Sequence, residues 1–456
     1  MFNQGIFRTA ILAITDCLLL YGVWAGVVLG YYWIGLGHYE PSFYLGMWPI
    51  GPVFIFINYI FRLYHGRFFH PASPLSPVEE LRRLVGSSLL THFGIIAVLA
   101  FARQTTEDYS RVVIAASGLL MALLSQPFRN LVRKCMFVLG VGRIPVFFAG
   151  SGAAADLIAA EFETNAYIGF RVVRRFSDNQ LREIVPAAQK IGVNVLVVCQ
   201  DVRLFQCRMA EYAKWFTHVE YLPTTRAFPV LGARAISFGG FGGLEMVNQG
   251  RIGVLRFEKW LLDKVLAVLA FIAFLPFFVV IPVLIKLTSR GPVFYRQKRL
   301  GKQGVPILVW KFRSMYDDAD DRLKRILASD PKKKVEWEKN FKLIGDPRVT
   351  PLGRLLRRTS LDELPQLFNV FAGEMALIGP RPIVWKEVTY YGEDYKVFYR
   401  VKPGITGLWQ VSGRSETDYA RRVALDTYYV LNWSPWLDIW ILMRTVGAVL
   451  SMRGAC

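Results

Sequence analysis

Five long apolar stretches constrain this chain before anything else does. They lie at about 9–30, 43–61, 84–102, 112–127 and 260–287. Each of the first four runs roughly 16–22 residues, close to the ~20 a helix needs to cross a bilayer. Only the first could be a signal peptide. It lacks a convincing cleavage site, and three more apolar stretches follow it. Hydrophobic residues make up 53% of the 456, which is high for a soluble protein.

Loop charges set an expected orientation. Residues 31–42 carry no Lys or Arg, whereas 62–83 carry Arg62, Arg67, Arg82 and Arg83. The 103–111 loop is mixed, and Arg129, Arg133, Lys134 and Arg143 follow the fourth stretch. Cations mark the cytoplasmic side, so both ends of a four-helix region are expected there. Asp16 and His92 fall inside two of the spans. Ionisable residues at membrane depth suggest function by default, but packing between spans is the leading reading here.

The formal net charge is +20. A chain this basic meets nucleic acid, an anionic membrane or phosphorylated substrates, and its apolar and aromatic load favours the last two. The five cysteines, Cys17, Cys135, Cys199, Cys207 and Cys456, are scattered and odd in number, without a C-x-x-C pair. That implies a reducing compartment, with neither a zinc site nor a disulfide framework. No histidine lies beyond His218. Chemistry in the C-terminal half must therefore use carboxylates, Lys, Arg, Tyr or Ser.

Residues 144–250 alternate strand-like and helix-like runs, which implies a parallel, Rossmann-like sheet. Gly150-x-Gly152-x-x-Ala155 follows the first strand in the manner of a dinucleotide fingerprint. A glycine turn serves plain strand–helix packing as well, and no acid sits cleanly at the end of the second strand. Gly239-Gly-Phe-Gly-Gly243 reads as a linker or domain edge.

The fifth stretch, 260–287, has cations on both flanks, so charge does not favour a crossing. Pro276 near its middle removes a backbone hydrogen bond and kinks a helix. The expectation is a re-entrant helix that dips in, bends and returns, with a kinked full span as the alternative.

Beyond 290 the chain is polar and basic. Lys311-Phe-Arg313-Ser-Met315 follows an apolar strand, and Arg354, Arg357 and Arg358 precede Thr359-Ser-Leu-Asp362-Glu363-Leu-Pro-Gln-Leu-Phe-Asn369. Ser360-x-x-Glu363 fits a helix capping box. Pro365 fits that poorly; a helix beginning at Pro365 would leave the dyad on the turn before it. Either way two acids follow three arginines, and a carboxylate kept ionised there can attack phosphorus. Arg381, between Pro380 and Pro382, and Arg414, after Gly413, suit phosphate oxygens through their planar forks. A Mg²⁺ ion would join one carboxylate to substrate phosphates. Ser434 and Pro435 start a last helix whose Trp433, Trp436 and Trp440 suit a membrane surface. Asp438 in its first turn fits the helix dipole as readily as a function.

From about 256 to 452 the chain resembles the bacterial sugar transferases that make polyprenyl-diphosphate-linked sugars, the monotopic phosphoglycosyl transferases. The resemblance rests on Lys311-Phe-Arg-Ser-Met, Thr359-Ser-Leu-Asp-Glu-Leu-Pro-Gln-Leu, Gly379-Pro-Arg-Pro and Lys402-Pro-Gly-Ile-Thr-Gly. Four spans and a Rossmann-like middle domain look like the branch that uses galactose, and Glu336–Lys342 and Leu408–Arg414 strengthen that. The resemblance implies Asp362 as nucleophile and magnesium ligand on the β-phosphate of a UDP-sugar, with Glu363 assisting. It implies UMP as leaving group and undecaprenyl phosphate as acceptor. Lys311, Arg313, Arg381 and Arg414 would bind substrate, and Asp438 matches an acidic position needed for activity. The helix at 260–287 would be the family's re-entrant anchor, although Leu275 stands where the family often has Ser.

The expected fold is thus a membrane protein of α plus α/β class. It comprises a four-helix transmembrane domain (1–143), a Rossmann-like cytoplasmic domain (144–250) and an α/β catalytic domain anchored by the re-entrant helix (251–456). The expected setting is the cytoplasmic face of a bacterial inner membrane, in lipopolysaccharide O-antigen, capsule or exopolysaccharide assembly. A homodimer is possible on this reading, and nucleic acid is not a partner. A nucleotide-sugar dehydratase would need Tyr-x-x-x-Lys, which the chain lacks. A glycosyltransferase would release UDP rather than UMP. Glucose is the alternative sugar.

Overall fold

A computed structural model describes residues 4–35, 41–64, 76–101, 110–177, 180, 183–191, 193–200, 212, 214–222, 234–238, 241–245, 253–330, 346–413 and 419–450. The chain forms two compact units, Met1–Phe228 and Pro229–Cys456.

The first unit opens with helices α1 (Gln4–Trp33), α2 (Ile50–Ile60), α3 (Pro77–Phe101) and α4 (Arg111–Val138). Segments of α1, α3 and α4 are long and apolar enough to cross a membrane. The second apolar stretch departs from the expected span. It divides into a 3₁₀ segment, Pro41–Met47, and the 11-residue α2. Eleven residues reach about 17 Å, short of a hydrocarbon core of about 30 Å. Pro49 stands at the N-terminus of α2, where a ring nitrogen without a hydrogen cannot continue a helix from the preceding turn.

Helix α4 also departs from expectation, running through Pro127 to Val138. Arg129 and Arg133 are not loop cations; both are buried. Arg129 makes a forked ion pair with Asp16, and its Nη1 donates to Glu80 at 3.0 Å. Arg133 donates to both oxygens of Glu80, at 2.7 and 2.5 Å. Charge inside an apolar bundle persists when every oxygen has a donor, and that answers for Asp16. The Nδ1 of His92 lies 2.8 Å from the Ser88 carbonyl, and its ring packs where a Cβ on Gly118 would come within 2.9 Å. Leu20, Trp24, Phe54, Ile114 and Met121 form the apolar core of the bundle.

After the bundle come β1 (Ile144–Ala149), α5 (Ala153–Thr164), β2 (Phe170–Phe176), α6 (Ile184–Ile191), β3 (Val195–Val198) and β4 (His218–Tyr221). The strands make a parallel sheet ordered β2-β1-β3-β4. β1 and β3 are almost wholly buried, as strands covered on both faces must be. A Cβ on Gly150 would lie 2.3 Å from the Cys199 carbonyl oxygen, so close strand packing accounts for this glycine.

In the second unit, β5 (Arg234–Phe238) and β6 (Phe241–Glu245) form an antiparallel hairpin that takes in part of the glycine-rich stretch. Helix α7 (Gly253–Thr288) continues through Pro276 and Pro282. Then follow β7 (Phe294–Leu300), β8 (Pro306–Phe312), α8 (Ala319–Ser329), α9 (Pro351–Thr359), α10 (Gln366–Ala372), β9 (Ala376–Ile378), β10 (Gly404–Thr406), α11 (Tyr419–Leu431) and α12 (Pro435–Leu450). β7 and β8 pair antiparallel, β9 and β10 parallel.

One face of α7 is clamped onto this unit along its length. Lys259 donates to Asp438 and to the Ile378 carbonyl, both at 2.8 Å. Lys264 donates to the carbonyls of Val370 and Phe371, at 2.7 and 2.8 Å. Phe271 packs on Phe368 and Phe371, and Phe278 on Phe312. Ile281 and Ile285 join a core with Phe312 and Leu356. The opposite face, including Leu269, Ile272, Leu275, Val279, Val283 and Leu287, is exposed.

Candidate active site

The dyad lies on a 3₁₀ turn, Leu361–Glu363, between α9 and α10. Thr350 caps α9 by accepting from Gly353 N at 2.8 Å, and Pro351 is its first residue. The helix ends at Ser360, whose φ of 58° is left-handed, a strained choice for a residue with a side chain. Ser360 makes no side-chain cap bond, and the Glu363 carboxylate points elsewhere, so the capping-box alternative does not hold. Pro365 sits at the N-terminus of α10, whose C-terminus is capped by Gly373 at φ 80°. The proline thus sets the dyad on the preceding turn.

Lys311, on β8, donates to Glu363 Oε1 at 2.6 Å. Asn369 fixes that strand to the dyad helix. Its side-chain oxygen accepts from Trp310 N at 3.0 Å and its nitrogen donates to the Leu308 carbonyl at 2.7 Å. Arg357 donates from Nε to Ser314 Oγ at 2.9 Å, which holds it beside the dyad.

The two acids sit in unlike fields. Asp362 is 8% exposed. Burial first, then the charge of Glu363, push its carboxyl up to about 6, against the pull of Lys311 and Arg357. Burial also works against the charge of Glu363. Lys311, then Arg381 and Arg299, outweigh it and hold that carboxyl below its ordinary value.

Beside Glu363 opens a pocket lined in part by Arg299, Lys311, Gln366, Arg381 and Gln410. Arg381 follows Gly379, where a Cβ would lie 2.9 Å from Gly404 N; the glycine lets the two backbones meet. Arg299, at the end of β7, is a site residue that sequence reasoning missed. Burial, then the nearby Arg381, lower its pKa, the signature of cations gathered without enough anions. No local pattern around Arg299 marks it; its place depends on the β7–β8 pairing.

Other expected site residues fall elsewhere. The Arg313 guanidinium turns away from the pocket to cap the end of α7, donating to the carbonyls of Arg290 and Ser289 at 2.5 and 2.9 Å. Asp438 is fully buried, accepting from Tyr429 at 2.8 Å, Lys259 at 2.8 Å and Trp433 at 3.0 Å. Trp433 is therefore interior rather than at a membrane surface, while Ser434 does cap α12 by accepting from Leu437 N at 3.1 Å. Arg414 and Glu336–Lys342 lie outside the described residues.

Among the described residues, no three His, Cys, Asp or Glu side chains gather as a closed metal site. Asp362 still suits a divalent ion. Its carboxylate is burdened by an adjacent anion, and Mg²⁺ commonly takes one or two carboxylates and fills its shell with phosphate oxygens and water.

The bacterial sugar transferase family model matches residues 254–452. The undecaprenyl-phosphate galactose phosphotransferase of Salmonella typhimurium is 33% identical over 403 residues, covering 82% of each chain. The UDP-galactose-lipid carrier transferase of Erwinia amylovora is 44% identical over 200 residues, 44% of this chain and 42% of its own. The UDP-glucose:undecaprenyl-phosphate glucose-1-phosphate transferase of Escherichia coli is 34% identical over 330 residues, 67% of this chain and 68% of its own. With its dyad turn and basic pocket inside the matched segment, the chain belongs to the bacterial sugar transferase family and is a transferase.

Proposed function

We propose that this protein transfers a hexose 1-phosphate, galactose 1-phosphate first, from a UDP-sugar to undecaprenyl phosphate. The observation that carries the reading is the unequal dyad. Lys311 neutralises Glu363, which lines a pocket with Arg299 and Arg381, while Asp362 is left buried next to Glu363.

In the first step a carboxylate oxygen of Asp362 attacks the β-phosphorus of the UDP-sugar. The bond from that phosphorus to the bridging oxygen breaks, and UMP leaves with the oxygen and the bonding pair. The sugar phosphate stays on Asp362 as an acyl phosphate. In the second step a phosphate oxygen of undecaprenyl phosphate attacks the same phosphorus. The bond to Asp362 breaks, the carboxylate is regenerated and the diphosphate-linked sugar departs. Arg299, Lys311 and Arg381 bind the charge that develops on the phosphoryl oxygens, as positioned cations do in phosphoryl transfer. Glu363 keeps Lys311 in place. A magnesium ion held by Asp362 would supply further neutralisation of the diphosphate.

The same reading sets the protein in a bacterial inner membrane with the dyad on the cytoplasmic side. The thirty helical residues from Lys259 to Thr288 cover about 45 Å. Both ends bond to one polar body, at Asp438 and at Arg313, while the opposite face is apolar and exposed. This supports a helix that enters and leaves the bilayer on one side. The release of UMP to the side where UDP-sugars are made follows from that placement.

UDP-galactose and UDP-glucose offered separately with undecaprenyl phosphate test the reading. Galactose transfer with release of UMP is expected; release of UDP contradicts the reaction class. The name of the Escherichia coli relative makes glucose the second choice.

A further inference from the structure

Arg381 lines the dyad pocket without a carboxylate to hold it. Among the described residues its guanidinium makes no hydrogen bond or ion pair. Its charge acts on Glu363 across the pocket, helping to hold that carboxyl below its ordinary value. The guanidinium carbon instead lies 5.6 Å from the centre of the Trp409 indole.

Two glycines bring this pair together. A Cβ on Gly407 would lie 2.2 Å from the Gly379 carbonyl oxygen, so the two segments approach as a larger residue would not allow. Gly379 N donates to the Thr406 carbonyl at 2.9 Å, and Gly404 N to the Pro380 carbonyl at 2.8 Å. Arg381 stands two residues after one glycine and Trp409 two residues after the other. Pro380 and Pro382 restrict the backbone on either side of Arg381.

The indole is itself braced. Trp409 is 7% exposed. The Arg422 guanidinium, on α11, lies 4.9 Å from the centre of its ring and 4.8 Å from that of Tyr419. Arg422 Nη1 stands 3.6 Å from Glu387, whose carboxylate accepts from Val384 N at 2.9 Å. Trp409 does not line the pocket, whereas its neighbour Gln410 does. The buried Trp409 N–H has no hydrogen-bond partner among the described residues. A phenylalanine would pack here without that unsatisfied donor, so burial alone does not explain the tryptophan. An indole does offer a cation the best ring face among the side chains.

We propose that Trp409 is a positioning residue that holds Arg381 for the diphosphate of the nucleotide sugar. A carboxylate partner would occupy the guanidinium N–H groups and offset their charge. A ring attracts the cation and leaves those donors for phosphate oxygens. Arg381 is thereby oriented before substrate arrives, with no ion pair to break when it does. This inference rests on the reaction proposed above and adds the residue that prepares its cation.

A double-mutant cycle on the full-length protein in detergent tests it. UMP release is followed with undecaprenyl phosphate and whichever of UDP-galactose and UDP-glucose the wild type uses, and kcat/KM is compared. Trp409→Leu is expected to lower it about tenfold, and Trp409→Phe, which keeps a weaker ring face, about threefold. In an Arg381→Ala background both losses disappear, because the residue through which Trp409 acts is gone. Losses of the same size in both backgrounds overturn the inference, since a packing role does not depend on Arg381. Trp409→Phe carries the cycle alone if Trp409→Leu does not fold. Absence of UMP release by the wild type overturns the proposed reaction and this inference with it; UMP release with additive losses overturns this inference alone.

Discussion

The ammonium of Lys311 lies 2.6 Å from Oε1 of Glu363, and so neutralises one member of the dyad while its neighbour Asp362 keeps the strain of burial. Attack on phosphorus needs Asp362 ionised, and its carboxyl titrates at about 6. kcat/KM is therefore expected to fall as pH drops through that value. Lys311→Met removes a cation that favours the charge, so it moves the acid limb to higher pH and lowers kcat/KM by about 10²-fold. Glu363→Gln removes the opposing anion and moves the limb down. A pH–rate profile whose acid limb stays put in both variants contradicts this division of roles.

The same raised pKa makes Asp362 costly to the fold. A carboxyl whose folded pKa lies above its unfolded value favours folding below the unfolded value, near 4, and that benefit is lost as pH rises through about 6. At pH 8 the ionised, buried group is a net cost. Asp362→Asn is expected to be more stable than the wild type there, on the order of 2 kcal/mol, with the gap closing below pH 4. Denaturant midpoints at the two pH values measure it; a variant less stable at pH 8 refutes it.

Asp438 joins Lys259 of α7 to Tyr429 and Trp433, and we propose that it acts as a positioning residue rather than in the chemistry. Asp438→Ala leaves a buried ammonium with Asp263 alone among its carboxylates, and is expected to cost about 3–5 kcal/mol. Thermal unfolding should report that loss, while KM for the UDP-sugar in the surviving folded fraction stays within about twofold. Wild-type stability with lost kcat would instead assign Asp438 to the chemistry.

Arg299→Ala should do the reverse. Its guanidinium lines the pocket and stands 3.8 Å from Glu387, too far for a strong bond. The KM for the UDP-sugar is expected to rise about tenfold or more, with little change in unfolding midpoint. Unchanged steady-state kinetics would remove Arg299 from the phosphate site.

Legibility in the sequence followed the range of the forces involved. Pro365 placed the dyad on a turn because a missing N–H acts locally. The parallel sheet was legible in its apolar runs, and the length of α7 in its composition. Arg313 was not legible. Strand alternation puts it on the face of Lys311, yet β8 ends at Phe312 and Arg313 turns to cap α7. Asp16 advertised itself as a charge in an apolar run, but its partner lies 113 residues away. Reading Arg129 as a loop cation followed from that missing contact. The expected second span ignored Pro49, whose effect is local and could have been read. Arg299 joins Arg381 only through the β7–β8 pairing and the turn after β9, and nothing adjacent to either arginine announces the other.

The proposed reaction passes through a covalent sugar phosphate on Asp362. Incubating the full-length protein with UDP-galactose without undecaprenyl phosphate, quenching, and mapping peptides by mass spectrometry tests it most directly. One hexose phosphate is expected on the peptide carrying Asp362, lost when undecaprenyl phosphate is added and absent from Asp362→Asn, with UMP released in equal amount. An adduct on another residue, or turnover by Asp362→Asn at the wild-type rate, would contradict it.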